Sequence, residues 1–327
     1  MSTFSINRRT LLAAGGAWSA ALGQPSWSQM ANAVRKIYVG FPAGGTADSL
    51  ARAISPLLSE AGGGAYVVEN KSGASGQLAA EAVRQAPADG TSLLLTPSSV
   101  LTLVPHLYKK PMYDTQRDFV PVACVCDHSF ALAVNGNSPI KDLAGFAAWV
   151  KVDPSKATYA TPGPGSGPHF LGVALGQAIG QPLVHVPYRG VAPGLQDLMG
   201  GQVACTVNPL PTMLEYHRAD RIRILAVSSP TRLASLPDVP TFTESGYRSV
   251  ELVEWYGLFA PAKLPEAARV QIGNRVKQAT ASADMQAAAK RLEVIPRYED
   301  SAALTRLVKQ DLERWRQQAA STGIQLE

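Results

Sequence analysis

From residue 34 onward, short apolar runs alternate with stretches in which apolar residues recur at helical spacing. RKIYVGF (35–41), AYVVEN (65–70) and TSLLLTP (91–97) read as strands. Between them, TADSLARAISPLLSEA places Leu50, Ile54, Leu57 and Leu58 on one helical face, with Pro56 marking a kink or an end. GQLAAEAVRQA forms a second helical stretch, stopped by the PADG turn at 87–90. This β-α-β-α-β order predicts a parallel sheet with right-handed crossovers and both faces covered. In such sheets ligands sit beyond the carboxyl ends of the strands, where FPAGGTAD (41–48) and TPSS (96–99) fall.

The same grammar then restarts. SFALAVN (129–135), ATYAT (157–161), LVHVPYRG (183–190), QVACTVNP (202–209) and IRILAVSS (222–229) read as strands, and KDLAGFAAWVKV, FLGVALGQAI and VAPGLQDLMGG as helices. Two amphipathic helices close the chain, AARVQIGNRVKQATA and SAALTRLVKQDLERWRQQAAST. The pattern predicts an α/β protein of two lobes with a cleft between them. The first lobe spans 34–127 and 231–327, and the second, 128–230, is inserted between its parts.

Residues 1–33 follow another rule. Arg8 and Arg9 precede a short Ala/Leu-rich run with no acidic residue, and Ala31-Asn32-Ala33 ends it with a small-x-small pattern. This predicts an export signal cleaved after Ala33, of twin-arginine or ordinary secretory type, and hence a periplasmic protein. Without that segment the formal charge falls from +5 to +3, with no Lys/Arg run, which argues against nucleic acid. A hydrophobic share of 46% supports a large core, and no stretch of the chain is a membrane span. Cys124, Cys126 and Cys205 are either three small buried hydrophobes or include one disulfide through Cys205. The five histidines show no metal-ligand spacing, so neither metal nor cofactor is expected.

Candidate chemistry centres on two glycine-rich turns. PAGGTADS lacks the lysine of a phosphate loop and the G-x-G-x-x-G order of a dinucleotide site. GPGSGPH (163–169) has prolines where a nucleophile elbow needs glycines, leaving only a loose Ser166, His169, Asp48 combination for hydrolysis. What fits both turns is a pocket: Gly44, Gly45 and Thr46 open one helix, and Gly163, Gly165 and Ser166 another. Each turn offers backbone N–H groups with a positive helix end behind them, suited to the two ends of a dicarboxylate. Each turn alone is also what any strand-to-helix connection looks like.

Taken in order, FPAGGTAD, GPGSGPH, HVPYRG (185–190), DLMGGQV (197–203), LPDVPTFTESGY (236–247) and WYGLFAPA (255–262) resemble the Bug/TctC family. These are periplasmic solute-binding proteins of tripartite tricarboxylate transporters, and the likeness covers nearly the whole chain after residue 33. It implies a Venus-flytrap fold of periplasmic binding-protein type, a monomer that captures a small organic carboxylate and meets a membrane permease. The implied ligand-binding positions are Phe41, Pro42, Ala43, Gly44, Gly45, Thr46 and Asp48 in the first turn. They continue with Thr96, Ser98 and Ser99, then Thr161, Gly163, Gly165, Ser166 and His169, and finally Tyr188 in PYRG and Asn208. The second turn of the first lobe, GASGQLAA (73–80), departs from the fuller glycine run of the family. Asn208 stands where relatives often carry an acid, which favours a ligand without an ammonium group. Competing readings are a ligand-sensing partner of a membrane receptor and a serine hydrolase using Ser166.

Overall fold

The computed structural model describes residues 34–59, 64–322 and 324–327. The expected export signal lies outside them. Strand β1 (Arg35–Val39) pairs in parallel with β2 (Tyr66–Asn70) and with β3 (Ser92–Pro97). Helices α1 (Thr46–Ser59) and α2 (Gln77–Arg84) connect them in the expected order. Leu50, Ile54 and Leu58 of α1 are fully buried among Ile37, Val39, Leu93 and Leu95, while Leu57 packs half-buried beside them. Each such leucine contributes about 1.5–3 kcal/mol by leaving water. Pro56 neither ends nor leaves α1. The carbonyl it cannot serve belongs to Arg52, on the exposed face of the helix.

The element that organises the molecule is β4 (Phe119–Asn135), 17 residues long. From Phe119 to Ser129 it runs antiparallel to β9 (Val253–Pro261), and around Cys124 to Asp127 it also pairs with β10 (Ile295–Glu299). From Phe130 to Asn135 it pairs instead with β7 (Cys205–Pro209) and β8 (Ile222–Val227). The sequence reading began this strand only at Ser129. The structure carries it back ten residues, with register shifts between Pro121 and Ala123 and between Cys124 and Cys126. Such bulges let one strand absorb a proline and turn from one sheet into the next. The main path is β2-β1-β3-β9-β4-β7-β5-β6, with β8 and β10 joined to β4 off that path and β5 (Thr158–Thr161) and β6 (Val184–Pro187) parallel at the far edge.

Two groups of core residues follow from this division. Ile37, Leu50, Leu93, Val125, Leu258 and Val276 belong to one. Phe130, Leu132, Phe146, Tyr159, Leu175 and Val207 belong to the other. Helices α3 (Leu143–Val152), α4 (Gly167–Ile179) and α5 (Val191–Met199) cover the second sheet. Helices α6 (Glu266–Ala281), α7 (Ala283–Arg291) and α8 (Ser301–Thr322) return to the first. Phe242 and Val250 pack in the second core, and Leu236 and Val239 pack beside it with Leu195 and Leu214. The chain crosses back at Leu252, where Ser228 ties three segments together. Its hydroxyl accepts from the Phe130 amide (2.8 Å) and donates to the Leu252 carbonyl (2.5 Å).

Cys124, Cys126 and Cys205 are free and buried. Burial pushes the Cys124 thiol up to about 12 and raises the Cys126 and Cys205 thiols as well.

Candidate ligand-binding cleft

The two sheets meet at a cavity of about 300 Å³. Three helices open onto it. α1 begins at Thr46, α4 at Gly167 behind Ser166, and α5 at Val191 behind Gly190, and Gly45, Thr46, Ser166, Pro168, Gly190 and Val191 of these starts line its wall. Each helix start carries N–H groups without helical partners and a partial positive charge. Exposed Arg189 adds a full one.

The first turn owes its shape to Asp48. Gly44 sits at φ +84°, in the left-handed region, and its N–H donates to Asp48 Oδ2 at 2.9 Å. Arg52 holds the same carboxylate at 2.9 Å. Burial works against the charged form, but the Arg52 guanidinium, the Gly44 amide and Asn70 outweigh it, so the carboxyl titrates below its ordinary value. Asn70 in turn donates to the Phe41 carbonyl (3.0 Å). The turn presents Phe41, Pro42, Ala43, Gly44, Gly45 and Thr46 to the cavity, with Asp48 behind them. Thr46 is 5% exposed and its hydroxyl has no hydrogen-bond partner among the described residues.

Eight of the residues named from sequence line the cavity: these six together with Ser99 and Ser166. The others stand behind the wall. His169 accepts the Gly165 amide on Nδ1 (3.0 Å) and stacks on His185 at 3.8 Å. Burial lowers it to about 4, and lowers His185, which also faces His169, to about 3. The pair is a prop for the second turn. Thr161 bonds His185 Nε2 (2.6 Å) and donates to the Gly163 carbonyl (3.1 Å). A Cβ at Gly165, which sits at φ +68°, would press on Leu107 and Leu326, whereas one at buried Gly163 would meet nothing within 4 Å. Tyr188 donates to Asp197 (2.6 Å), and Asn208 donates to Thr206 (2.6 Å). Thr96 and Ser98 are buried without reaching the cavity. Asn208 is not among the residues that line the cavity, and its buried Oδ1 has no partner among the described residues. The loose triad does not assemble either: Ser166 donates to the Gly163 carbonyl (2.8 Å), and Asp48 is taken by Gly44 and Arg52.

The sequence reading missed His128, Phe130, Glu254 and Tyr256, all of which line the cavity, while Arg189 of PYRG lines it as well. A signal for one of them existed: Glu254 is a charged residue set inside an otherwise largely apolar strand. His128 Nε2 lies 3.5 Å from Glu254 Oε2, and the His128 ring lies 4.7 Å from that of Tyr256 and 5.0 Å from that of Phe130. A Cβ added at Gly190 would lie 2.9 Å from Pro42 Cγ, so the two lobes touch across the cleft there.

A two-lobed α/β protein with helix starts converging on an interlobe cavity is a solute-binding protein of periplasmic binding-protein type. The chain belongs to the tripartite tricarboxylate transporter family receptors (TctC), which it matches over residues 50–324. It is 32% identical to the UPF0065 protein in the tcbD-tcbE intergenic region of Pseudomonas sp. strain P51, over 85% of this chain and 82% of that one. The solved periplasmic binding protein BugD superposes with a TM-score of 0.82 at 31% identity, covering 90% of this chain and 98% of the other. A Rhodopseudomonas palustris protein solved with adipate, Rpa4515, gives 0.84 at 29%, covering 89% and 97%. These relatives are binding proteins, and this chain is one too, not an enzyme.

Proposed function

We propose that this protein captures a small organic carboxylate in the periplasm and presents it to the permease of a tripartite tricarboxylate transporter. The observation that carries the reading is the meeting of the α1 and α5 starts with Arg189 and the unpartnered Thr46 hydroxyl on one cavity. Backbone N–H groups, a hydroxyl and a guanidinium are donors that match a carboxylate. Adipate in the related Rhodopseudomonas palustris protein supports the same ligand class. The second lobe in this reading runs from about residue 130 to about 252, as the pairing of β4 and the packing of Phe242 and Val250 support. The lobes close on the ligand by bending at the Phe130, Ser228 and Leu252 crossing, and the closed form is what the permease meets. Export by the segment before Val34 completes the reading.

The test is thermal melting of the purified protein with a panel of mono- and dicarboxylates. A ligand at about 100 times its dissociation constant adds about 2.7 kcal/mol of stability, a plain rise in Tm. A panel that leaves Tm unmoved would overturn the reading.

A further inference from the structure

Glu254 stands out as the single acid in a cavity wall whose other polar side chains are hydroxyls such as Thr46, Ser99, Ser166 and Thr212, with Arg189 and His128. Its side chain is 2% exposed, and Oε1 has no hydrogen-bond partner among the described residues. His128 is equally buried, and neither ring nitrogen makes a hydrogen bond among the described residues; its Nε2 lies 3.5 Å from Glu254 Oε2. The fold leaves deliberate room for this carboxyl. A Cβ at Gly167, the first residue of α4, would overlap Glu254 Oε1 and press on Phe130. The positive end of α4 therefore faces Glu254, while Pro42 and Gly190 bring the starts of α1 and α5 together beside Arg189. One part of the cavity is electropositive and the other carries a buried acceptor.

We propose that Glu254, with His128 beside it, is the specificity-determining residue of the cleft and selects carboxylates that carry an ammonium group. The inference rests on the carboxylate-binding reading above. A buried carboxylate oxygen without a donor is costly, and a ligand N–H that reaches it removes the cost. A second ligand carboxylate in the same place would meet like charge. The chain is thereby set apart from the adipate-binding relative, whose ligand has carboxylates at both ends.

The experiment is calorimetric titration of the purified protein with matched acids from propanoate to hexanoate in length: the plain alkanoate, the hydroxy acid, the dicarboxylate, and the acids bearing a terminal or an α-ammonium group. Wild type is expected to bind at least one ammonium acid about ten-fold or more tightly than its alkanoate and dicarboxylate counterparts. Glu254→Gln, close to isosteric, is expected to lose that preference, with the ammonium acid falling to the affinity of its alkanoate counterpart. The wild-type panel stands alone if the variant folds poorly. Equal binding of all members, a preference for the dicarboxylate, or a preference that survives Glu254→Gln would overturn this inference and leave carboxylate capture standing. Binding of the hydroxy acid equal to that of the ammonium acid would refute the charge requirement. No binding by any acid would overturn both.

Discussion

Gly190 is where the backbone and the cleft meet, and substituting it tests both. Its φ of +95° and ψ of −179° lie in a region essentially restricted to glycine. Alanine there carries about 1–3 kcal/mol of backbone strain. The new Cβ would also stand 2.9 Å from Pro42 Cγ and 3.4 Å from its Cδ, tighter than ordinary contact, so one lobe must yield to the other. Overpacking of this kind costs about 1–3 kcal/mol, and some of it is shared with the strain because one shift relieves both. Together about 2–4 kcal/mol is expected for Gly190→Ala, a fall in Tm of roughly 5–10 °C for a body of this size. Pro42→Ala removes Cγ and Cδ, leaving Cβ at 3.7 Å. In the double variant the steric share should return and the strain should stay, giving a coupling energy of about 1 kcal/mol. Calorimetric melting of the four proteins measures the cycle. A Gly190→Ala protein that melts within a degree of wild type would refute the argument from backbone geometry. Additive single effects would refute the contact between the lobes.

Other consequences follow from single groups. Ser228→Ala strands the Phe130 amide and the Leu252 carbonyl at the crossing, which should cost about 2–4 kcal/mol in denaturant unfolding. A loss below about half a kcal/mol would mean that the crossing is not held by this hydroxyl. Thr46→Val keeps the shape and removes an unpartnered buried hydroxyl, so stability should hold or rise while carboxylate affinity falls about ten-fold. Unchanged affinity by titration would remove Thr46 from the anion site. His169, at about 4 when folded against 6.5 when free, binds its proton first in the unfolded chain. Stability is therefore whole above pH 6.5 and is lost as pH falls toward 4, by about 3 kcal/mol for this group. Asp127 and Asp311, raised by burial, act in the opposite sense, so the comparison is with His169→Gln, in which the slope between those values should flatten. An unaltered slope would show that the stacked pair does not set it.

The sequence by itself determined the elements and the family. Period-two and helical spacings are local properties, so β1 through β3, α1 and α2 were legible, as was the turn that Gly44 and Asp48 shape, because residues 41–48 are neighbours in the chain. The order of six glycine- and proline-marked motifs carried the resemblance for the same reason. What only the tertiary structure decided was the continuity of β4 and the membership of the pocket. Local pattern began a strand at Ser129, whereas antiparallel pairing with β9 from Phe119 to Ser129 makes residues 119–135 one strand. His169, Tyr188 and Thr161 belong by sequence to site-bearing motifs, yet each is held by a neighbour behind the wall, and Asn208 donates to Thr206 there while its Oδ1 has no partner among the described residues. Glu254 and His128 sit 126 positions apart in two strands whose sequences read as core, and Glu254↔His128 is one rung of the β4–β9 ladder. Register between distant strands is set by global packing and not by local spacing, so that juxtaposition of two polar side chains exists only once the sheet has formed.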